Sequence, residues 1–438
     1  MIQIILVRHG RTAWNAGETQ GARFRGTVDL PLAPEGVDQA RTTARRLAGL
    51  SLSAIYSSPL QRAAHTARIL ARPHDLEVQI VPGLSSMDYG QWAGLLRTEV
   101  ARRWPDLYRG LHHDLFAVRA PDGESFAELR ERALAAVRHI LARHARTGGD
   151  GTILLVSHQV VARSLLCGLV GLPNQGYWLI RQSLCNLTRF EYHPEDGRLA
   201  LSGMNDTCHL DPALPRTTGG STRLILVRHG QTAWNVGAGP ERFRGRADLP
   251  LDSVGQAQAA ALAARLAGEP IAAIYASPLQ RTRQTVAPLA ARLGLEVEPH
   301  DGLLDIDYGR FQGLDHDEAA AAYPEQYRQW RTAPGKVRFP GGEGLTDLQA
   351  RLRSLLAALA GAHPDQTVVL AGHQIVNKTL ACTLLGLDLD QIWRIGQDPA
   401  CANVHQQVTG SWHTLRLNDT CHLDGLDPSP AQTPRPGP

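Results

Sequence analysis

No apolar run in this sequence approaches the roughly 20 residues that a membrane-spanning helix needs. The apolar stretch nearest the N-terminus, Ile2 to Val7, is short and reads as a strand with no signal-peptide pattern around it. A cytoplasmic protein with no membrane partner is therefore the expectation. Cysteine is scarce: Cys167, Cys185, Cys208, Cys382, Cys401 and Cys421 are scattered, with no Cys-x-x-Cys among them. That argues against a disulfide framework and against a zinc site, and reduced, mostly buried thiols are expected. An excess of one charge sign is lacking too. The 45 Lys and Arg against 42 Asp and Glu leave only +3, and neither basic runs nor aromatic platforms stand out, so no nucleic-acid partner is expected.

What is present suits folded domains. Hydrophobic content of 43% and charged content of 20% are those of a globular chain. At 438 residues it is too long for one ordinary core. Two nearly identical decapeptides organise it: Leu6-Val7-Arg8-His9-Gly10-Arg11-Thr12-Ala13-Trp14-Asn15, and Leu226-Val227-Arg228-His229-Gly230-Gln231-Thr232-Ala233-Trp234-Asn235. Nine of the ten residues match, which takes the Arg-His-Gly tripeptide beyond an ordinary solvated strand end.

Each decapeptide follows a short apolar run that reads as a buried parallel-type strand. Arg-His-Gly then falls where the strand ends, the edge at which open α/β sheets bind ligands. Arginine offers a fixed fork of donors to an anion, and histidine can attack or move protons near neutral pH. The glycine is expected to let backbone approach the ligand.

Repetition runs almost end to end. Phe24-Arg25-Gly26 recurs as Phe243-Arg244-Gly245, and Asp29-Leu30-Pro31-Leu32 as Asp248-Leu249-Pro250-Leu251. Ala54 to Arg62 answers to Ala273 to Arg281, Ser157-His158-Gln159 to Gly372-His373-Gln374, and Asn205 to Leu210 to Asn418 to Leu423. The offset drifts only from 220 to 213 (positions 9 and 229, then 205 and 418), so the chain reads as two tandem domains.

Strand and helix signals alternate within each. In copy two, Asp252 is a good N-cap for an alanine-rich helix ending near Gly268, a strand follows at Ile271 to Ala276, and Pro278 suits the first turn of the next helix. Copy one repeats the plan, with Pro73 stopping that helix early. Long helical patterns (Ser125 to Ala145; Leu345 to Ala360) precede apolar strands (Thr152 to Val156; Thr367 to Leu370). The fold class is α/β: two tandem three-layer α/β/α domains, each a mostly parallel sheet with helices on both faces. The expected division is 1–212, a linker at 213–221, 222–426, and a proline-rich disordered tail at 427–438.

Arg8, His9, Arg62 and His158, with Arg228, His229, Arg281 and His373 in copy two, recur at strand ends or helix starts. Parallel pairing would turn each set of four into one crevice fit for a phosphate dianion. Gln159 and Gln374 would add backbone N–H groups from a helix N-terminus. Thr12, Asn15, Thr232 and Asn235 supply further polar groups.

The pattern Leu-Val-Arg-His-Gly-x-Thr-x-Trp-Asn, then Ser-Pro-Leu-x-Arg, then a late strand ending in histidine, resembles the histidine phosphatase (phosphoglycerate mutase-like) superfamily over nearly the full length of both copies. The resemblance implies that His9 and His229 are nucleophiles forming a phosphohistidine. It implies that Arg8, Arg62 and His158, with Arg228, Arg281 and His373, complete phosphate pockets. Asn15 and Asn235 match a phosphate-contacting position, and no metal or other cofactor is implied. Tyr323-Pro324-Glu325, Lys336 to Glu343 and Leu417 to Leu423 make copy two similar to the metal-independent phosphoserine phosphatases, with Tyr89 and Tyr308 where those enzymes have histidine.

The copies part at the proton donor. The family pattern has a glutamate in Leu-x-Glu-x-x-x-Gly. Copy two reads Leu303-Leu304-Asp305-Ile306-Asp307-Tyr308-Gly309, with Asp305 in the acid position. Copy one reads Leu84-Ser85-Ser86-Met87-Asp88-Tyr89-Gly90, and Ser86 cannot act as an acid at physiological pH. Asp88 and Glu124 are the candidate substitutes, each with a counterpart in copy two.

The resemblance thus implies a phosphoric monoester hydrolase acting on a small phosphorylated metabolite, with an active C-terminal domain and a weakened N-terminal one. Mutases of the family carry an extra insertion between the acid and the second histidine. Here the separation is only 72 residues in copy one (86 to 158) and 68 in copy two (305 to 373), which ranks phosphatase above mutase. A non-catalytic phosphoester-binding or scaffolding protein is the alternative from another class, with Asp305 as the discriminator. No signal for an oligomeric state is present.

Overall fold

The computed structural model describes residues 1–15, 22–146, 150–235 and 240–426, so the tail expected at 427–438 lies outside the described residues. The chain divides into two compact units, 1–212 and 213–438. In the first, the strands are β1 (Ile2–Arg8), β2 (Leu52–Ser57), β3 (Val78–Ile80), β4 (Gly151–Ser157), β5 (Leu187–His193) and β6 (Arg198–Asp206). They lie in the order β3-β2-β4-β1-β5-β6. β1 pairs parallel with β4, β4 with β2 and β2 with β3, while β5 and β6 are antiparallel additions.

The second unit repeats this with β7 (Gly220–Arg228), β8 (Ile271–Ala276), β9 (Val297–Pro299), β10 (Thr367–Gly372), β11 (Ala402–Val408) and β12 (Ser411–Asp419). Its order is β9-β8-β10-β7-β11-β12. β7 pairs parallel with β10 and antiparallel with β11.

A strand buried on both faces must be apolar at consecutive positions. β1 is: Ile4, Ile5, Leu6 and Val7 are all buried. Ile5 and Val7 pack with Ala40, Ala44, Ala63 and Ala67 from the helices Pro34–Leu47 and Gln61–Ala71. The helices Phe126–Arg146 and Gln159–Leu166 also contact β1. Among the described residues no helix is long and apolar enough to cross a membrane.

Several local expectations meet the structure closely. Asp252 caps Ser253–Leu266, its side chain accepting from the Gly255 N–H at 2.8 Å. Two differ. Pro278 precedes the helix Gln280–Leu293, whose N-cap is Leu279 in an extended conformation. The reason is an outside cap: the Gln280 N–H donates to Asp248 Oδ1 at 2.7 Å, and in copy one the Gln61 N–H donates to Asp29 Oδ1 at 2.7 Å. Within the stretch expected as a linker, Leu214 is buried in the second core and its N–H donates to Glu269, while Gly220 and Ser221 already belong to β7.

Cys167, Cys185, Cys382 and Cys401 are buried free thiols, but Cys208 and Cys421 are disulfide-bonded, which corrects the expectation that all six are reduced. No short Cys-x-Cys spacing signals it.

Candidate active site

Parallel pairing of adjacent strands sets the site. Arg8 faces Ser157 across β1 and β4, and Arg228 faces Gly372 across β7 and β10, so the residues that follow these strands emerge together. The His9 N–H donates to the Ser157 carbonyl and the His229 N–H to that of Gly372, both at 3.0 Å. The rings of His9 and His158 lie 5.2 Å apart centre to centre, and those of His229 and His373 5.3 Å. His158 and His373 are the N-caps of Gln159–Leu166 and Gln374–Leu385, so Gln159 and Gln374 open helices whose first N–H groups have no intrahelical partner.

The tautomer of each leading histidine follows from one contact. His9 Nδ1 lies 2.7 Å from the Gly10 carbonyl, and His229 Nδ1 2.7 Å from that of Gly230. A carbonyl only accepts, so Nδ1 carries the proton and Nε2 keeps its lone pair. Burial, then Arg8, pushes the His9 pKa well below its ordinary value; burial, then Arg281, does the same to His229. Both rings are thereby neutral at neutral pH, with Nε2 unprotonated. The second histidines are lowered likewise, His158 by burial and Arg62, His373 by burial and Arg281.

The arginines are held by backbone. Arg8 donates to the Gln182 carbonyl and Arg228 to that of Gln397. Arg62 donates to the carbonyls of Val28 (2.8 Å) and Gly26 (2.7 Å), and Arg281 to those of Ala247 (2.6 Å) and Gly245 (2.7 Å). Burial and neighbouring guanidinium groups bring Arg8 down to about 9, while burial above all brings Arg62, Arg228 and Arg281 to about 10; all stay charged at neutral pH. Buried polar atoms without a partner gather here: Nε of Arg8 and of Arg228, Nδ1 of His158 and Nε2 of His373. An unmet buried donor costs about 1–3 kcal/mol, a cost that an entering anion relieves.

Asp305 is buried with Oδ2 3.5 Å from Arg281 Nη2 and 3.8 Å from His373 Nδ1. Burial raises its pKa above the usual carboxylate value against the pull of Arg281. Ser86 is also buried, at the equivalent place in copy one. The two candidate substitutes are occupied elsewhere. Glu124 accepts from Arg132 (2.6 and 2.8 Å) and from the Asp88 N–H (2.9 Å), and Asp88 accepts from the Gly90 N–H at 3.0 Å.

Asn15 and Asn235 buttress the loop: each side-chain oxygen accepts from the N–H (3.0 Å) and hydroxyl (2.9 Å) of Thr12 or Thr232. Gly10 and Gly230 are closely packed against the neighbouring helix starts. A Cβ on Gly10 would lie 2.4 Å from the Gly36 carbonyl oxygen, and one on Gly230 2.8 Å from that of Gly255.

Two further groups were not assigned from sequence. Arg244 is buried, donates to the Trp234 carbonyl (3.0 Å) and Glu241 (3.2 Å), and acts electrostatically on Arg228, His229, Arg281 and His373; in copy one Arg25, half-buried and donating to the Thr12 hydroxyl at 3.4 Å, acts electrostatically on Arg8, His9, Arg62 and His158. The repeated Phe-Arg-Gly was the signal for it. Arg351 donates to the carbonyls of Gly302 (2.8 Å) and Asp305 (3.1 Å) and pairs with Glu343, fixing the backbone that carries the acid. Arg132 makes the matching contacts to Gly83, Ser85 and Ser86. Among the described residues no group of three or more His, Cys, Asp or Glu is placed to hold a metal, and His422 bonds the Ala400 carbonyl within a C-terminal turn.

A doubly wound sheet with two histidines and clustered guanidinium groups at its C-terminal edge defines a phosphate-handling enzyme of the α/β class. The family model for the histidine phosphatase superfamily (branch 1) matches residues 4–207 and again 224–420, and the chain belongs to that superfamily. It is 39% identical over 202 residues to phosphoserine phosphatase 1 of Hydrogenobacter thermophilus, covering 46% of this chain and 94% of that one. It is 26% identical over 409 residues to 2-carboxy-D-arabinitol-1-phosphatase of Triticum aestivum, across 89% of this chain and 79% of the relative. A probable phosphoglycerate mutase of Yersinia pestis is 33% identical over 219 residues, 49% of this chain and 98% of the relative. The chain is a histidine phosphatase with two copies of the family domain.

Proposed function

We propose that the protein is a metal-independent phosphomonoesterase for small phosphorylated metabolites, that turnover passes through a phosphohistidine on His229, and that the N-terminal copy is catalytically weakened. The observation that carries this is Asp305, within 3.5 Å of Arg281 and 3.8 Å of His373, against Ser86 in the other copy.

The chemistry divides into two displacements. The Nε2 lone pair of His229 attacks phosphorus while Arg228, Arg281 and Arg244 neutralise the equatorial oxygens. The P–O bond breaks, and the proton on Asp305 passes to the departing alkoxide, a transfer worth about 10²–10⁴-fold in rate. The Asp305 carboxylate then takes a proton from water, which attacks the phosphohistidine and returns the imidazole and inorganic phosphate. Relatives named for phosphoserine and for a carboxylated sugar phosphate support a small, anionic, phosphorylated alcohol as substrate.

The test compares His9→Ala with His229→Ala in the full-length protein on a panel of phosphate esters with EDTA present. His229→Ala is expected to abolish most turnover and His9→Ala to leave most of it. Retention of activity in the His229 variant, or loss of it to EDTA, overturns the reading.

A further inference from the structure

The two copies share their nucleophile and differ in what can supply or accept a proton. Copy two has Asp305 beside Arg281 and Glu241 beside Arg244. Copy one has Ser86 and Ala22 at the matching positions. Among the described residues no carboxylate lies within ion-pair distance of Arg8, Arg25, Arg62 or Arg163; Glu124 is bound by Arg132, and Asp29 by Gln61.

Copy one is instead richer in guanidinium. Arg163 and Arg97 stand where copy two has Lys378 and His316. Arg163 is inside the same cluster: it stacks on Tyr177 and Trp178, its Nε is buried without a partner, and its charge acts on Arg8. Arg97 lies over Phe24 and acts on Arg25 and Arg163. The attacking side is untouched. His9 keeps the Nδ1 contact to Gly10, and His158 stands at the same ring distance as in copy two.

An intact nucleophile with no proton donor among the described residues, in surroundings that favour a departing anion, selects by leaving group. We infer that the N-terminal copy accepts phosphoryl groups from donors whose leaving group departs unprotonated, an acyl phosphate being the class, and holds the group on His9. The inference rests on the reading that the imidazole Nε2 is the nucleophile. In the step, the Nε2 lone pair forms the P–N bond and the P–O bond to the acyl oxygen breaks. That electron pair leaves on the carboxylate, which needs no proton, and Nδ1 keeps its proton on the Gly10 carbonyl. Hydrolysis then requires a base for water. Copy two has the Asp305 carboxylate; Ser86 has none to offer, so the phosphohistidine persists.

The experiment labels the full-length chain with radioactive acetyl phosphate or glycerol phosphate. In His229→Ala, acetyl phosphate is expected to leave acid-labile, alkali-stable label that maps to His9, in the wild-type chain as well. Its lifetime is expected to exceed that of label on His229 in His9→Ala by about 10²-fold or more, and glycerol phosphate to label His9 about 10²–10⁴-fold more slowly than acetyl phosphate. Adding Ser86→Asp to His229→Ala should shorten the lifetime and confer glycerol phosphate turnover. Absence of His9 label in both chains while His229 still labels overturns this inference and leaves the proposed function standing; equal labelling by both donors or a short lifetime overturns it together with the weakened N-terminal copy, and leaves only the phosphomonoesterase reading of copy two. Absence of label on both histidines overturns the shared reading.

Discussion

At Asp305 two opposing influences meet, and their balance sets the pH dependence. Burial raises this carboxyl above its usual range while Arg281 pulls it down, and burial wins. The acid must be protonated to act, so activity falls as pH rises through that elevated value. His229 is lowered by burial and Arg281, so it stays unprotonated in mild acid and the acidic limb lies well below neutrality. The kcat/KM profile for an alkyl phosphate is therefore expected to decline as pH rises through a limb that lies above the usual aspartate range, with the acidic limb well below the usual histidine value. Asp305→Asn should lower kcat by about 10²–10⁴-fold and remove the basic limb, with an aryl phosphate, whose leaving group needs less help, affected much less. An unchanged profile in the variant would contradict the assignment. Asp305 and Ser86 were legible because each occupies a fixed place in a repeated motif. Arg244 was visible as a repeat but not as a site residue, because its approach to Arg228 depends on how the Phe-Arg-Gly segment folds back: the Phe243 N–H donates to the Leu314 carbonyl, and the Gly313 N–H to that of Phe243.

At the scale of elements, strand ends and helix starts position both histidines and Arg228 and Arg281, while Asp305 sits in the loop between the short turns Asp301–Leu303 and Gly309–Phe311, and contacts between elements are tight. The helix Ser253–Leu266 presses Gly255 against the loop after His229, where a Cβ would meet the Gln231 carbonyl oxygen at 2.1 Å. Gly255→Ala is expected to cost about 1–3 kcal/mol through overpacking and to depress kcat by shifting His229. Denaturant titration together with steady-state kinetics checks it, and a variant of wild-type stability and rate would refute the close fit. Strand and helix identity was readable here because burial on both faces demands Ile, Leu and Val at consecutive positions, as in β1 and β10. The start of Gln280–Leu293 was displaced from Pro278 because its cap comes from Asp248, 32 residues upstream, and no local pattern carries that contact.

For the whole chain, duplication is the dominant fact, and the family model matches twice. The internal repeat made two units legible, since an offset near 215 leaves little room for anything but a second copy of the same sheet. Covalent pairing of Cys208 and of Cys421 escaped notice because spacing along the chain carries no record of a bond formed only after folding. Both copies retain the Arg-His-Arg-His set and only copy two carries a carboxyl at the acid position, and the proposed division of labour gives that copy the complete cycle and the other only its first step. Rapid-quench of the wild-type chain during turnover of an alkyl phosphate, followed by mapping of acid-labile phosphate, tests this division most directly. The account predicts phosphate on His229 that appears within the first turnover and decays as fast as product forms. Turnover with no phosphohistidine, or with phosphate confined to His9, would contradict it.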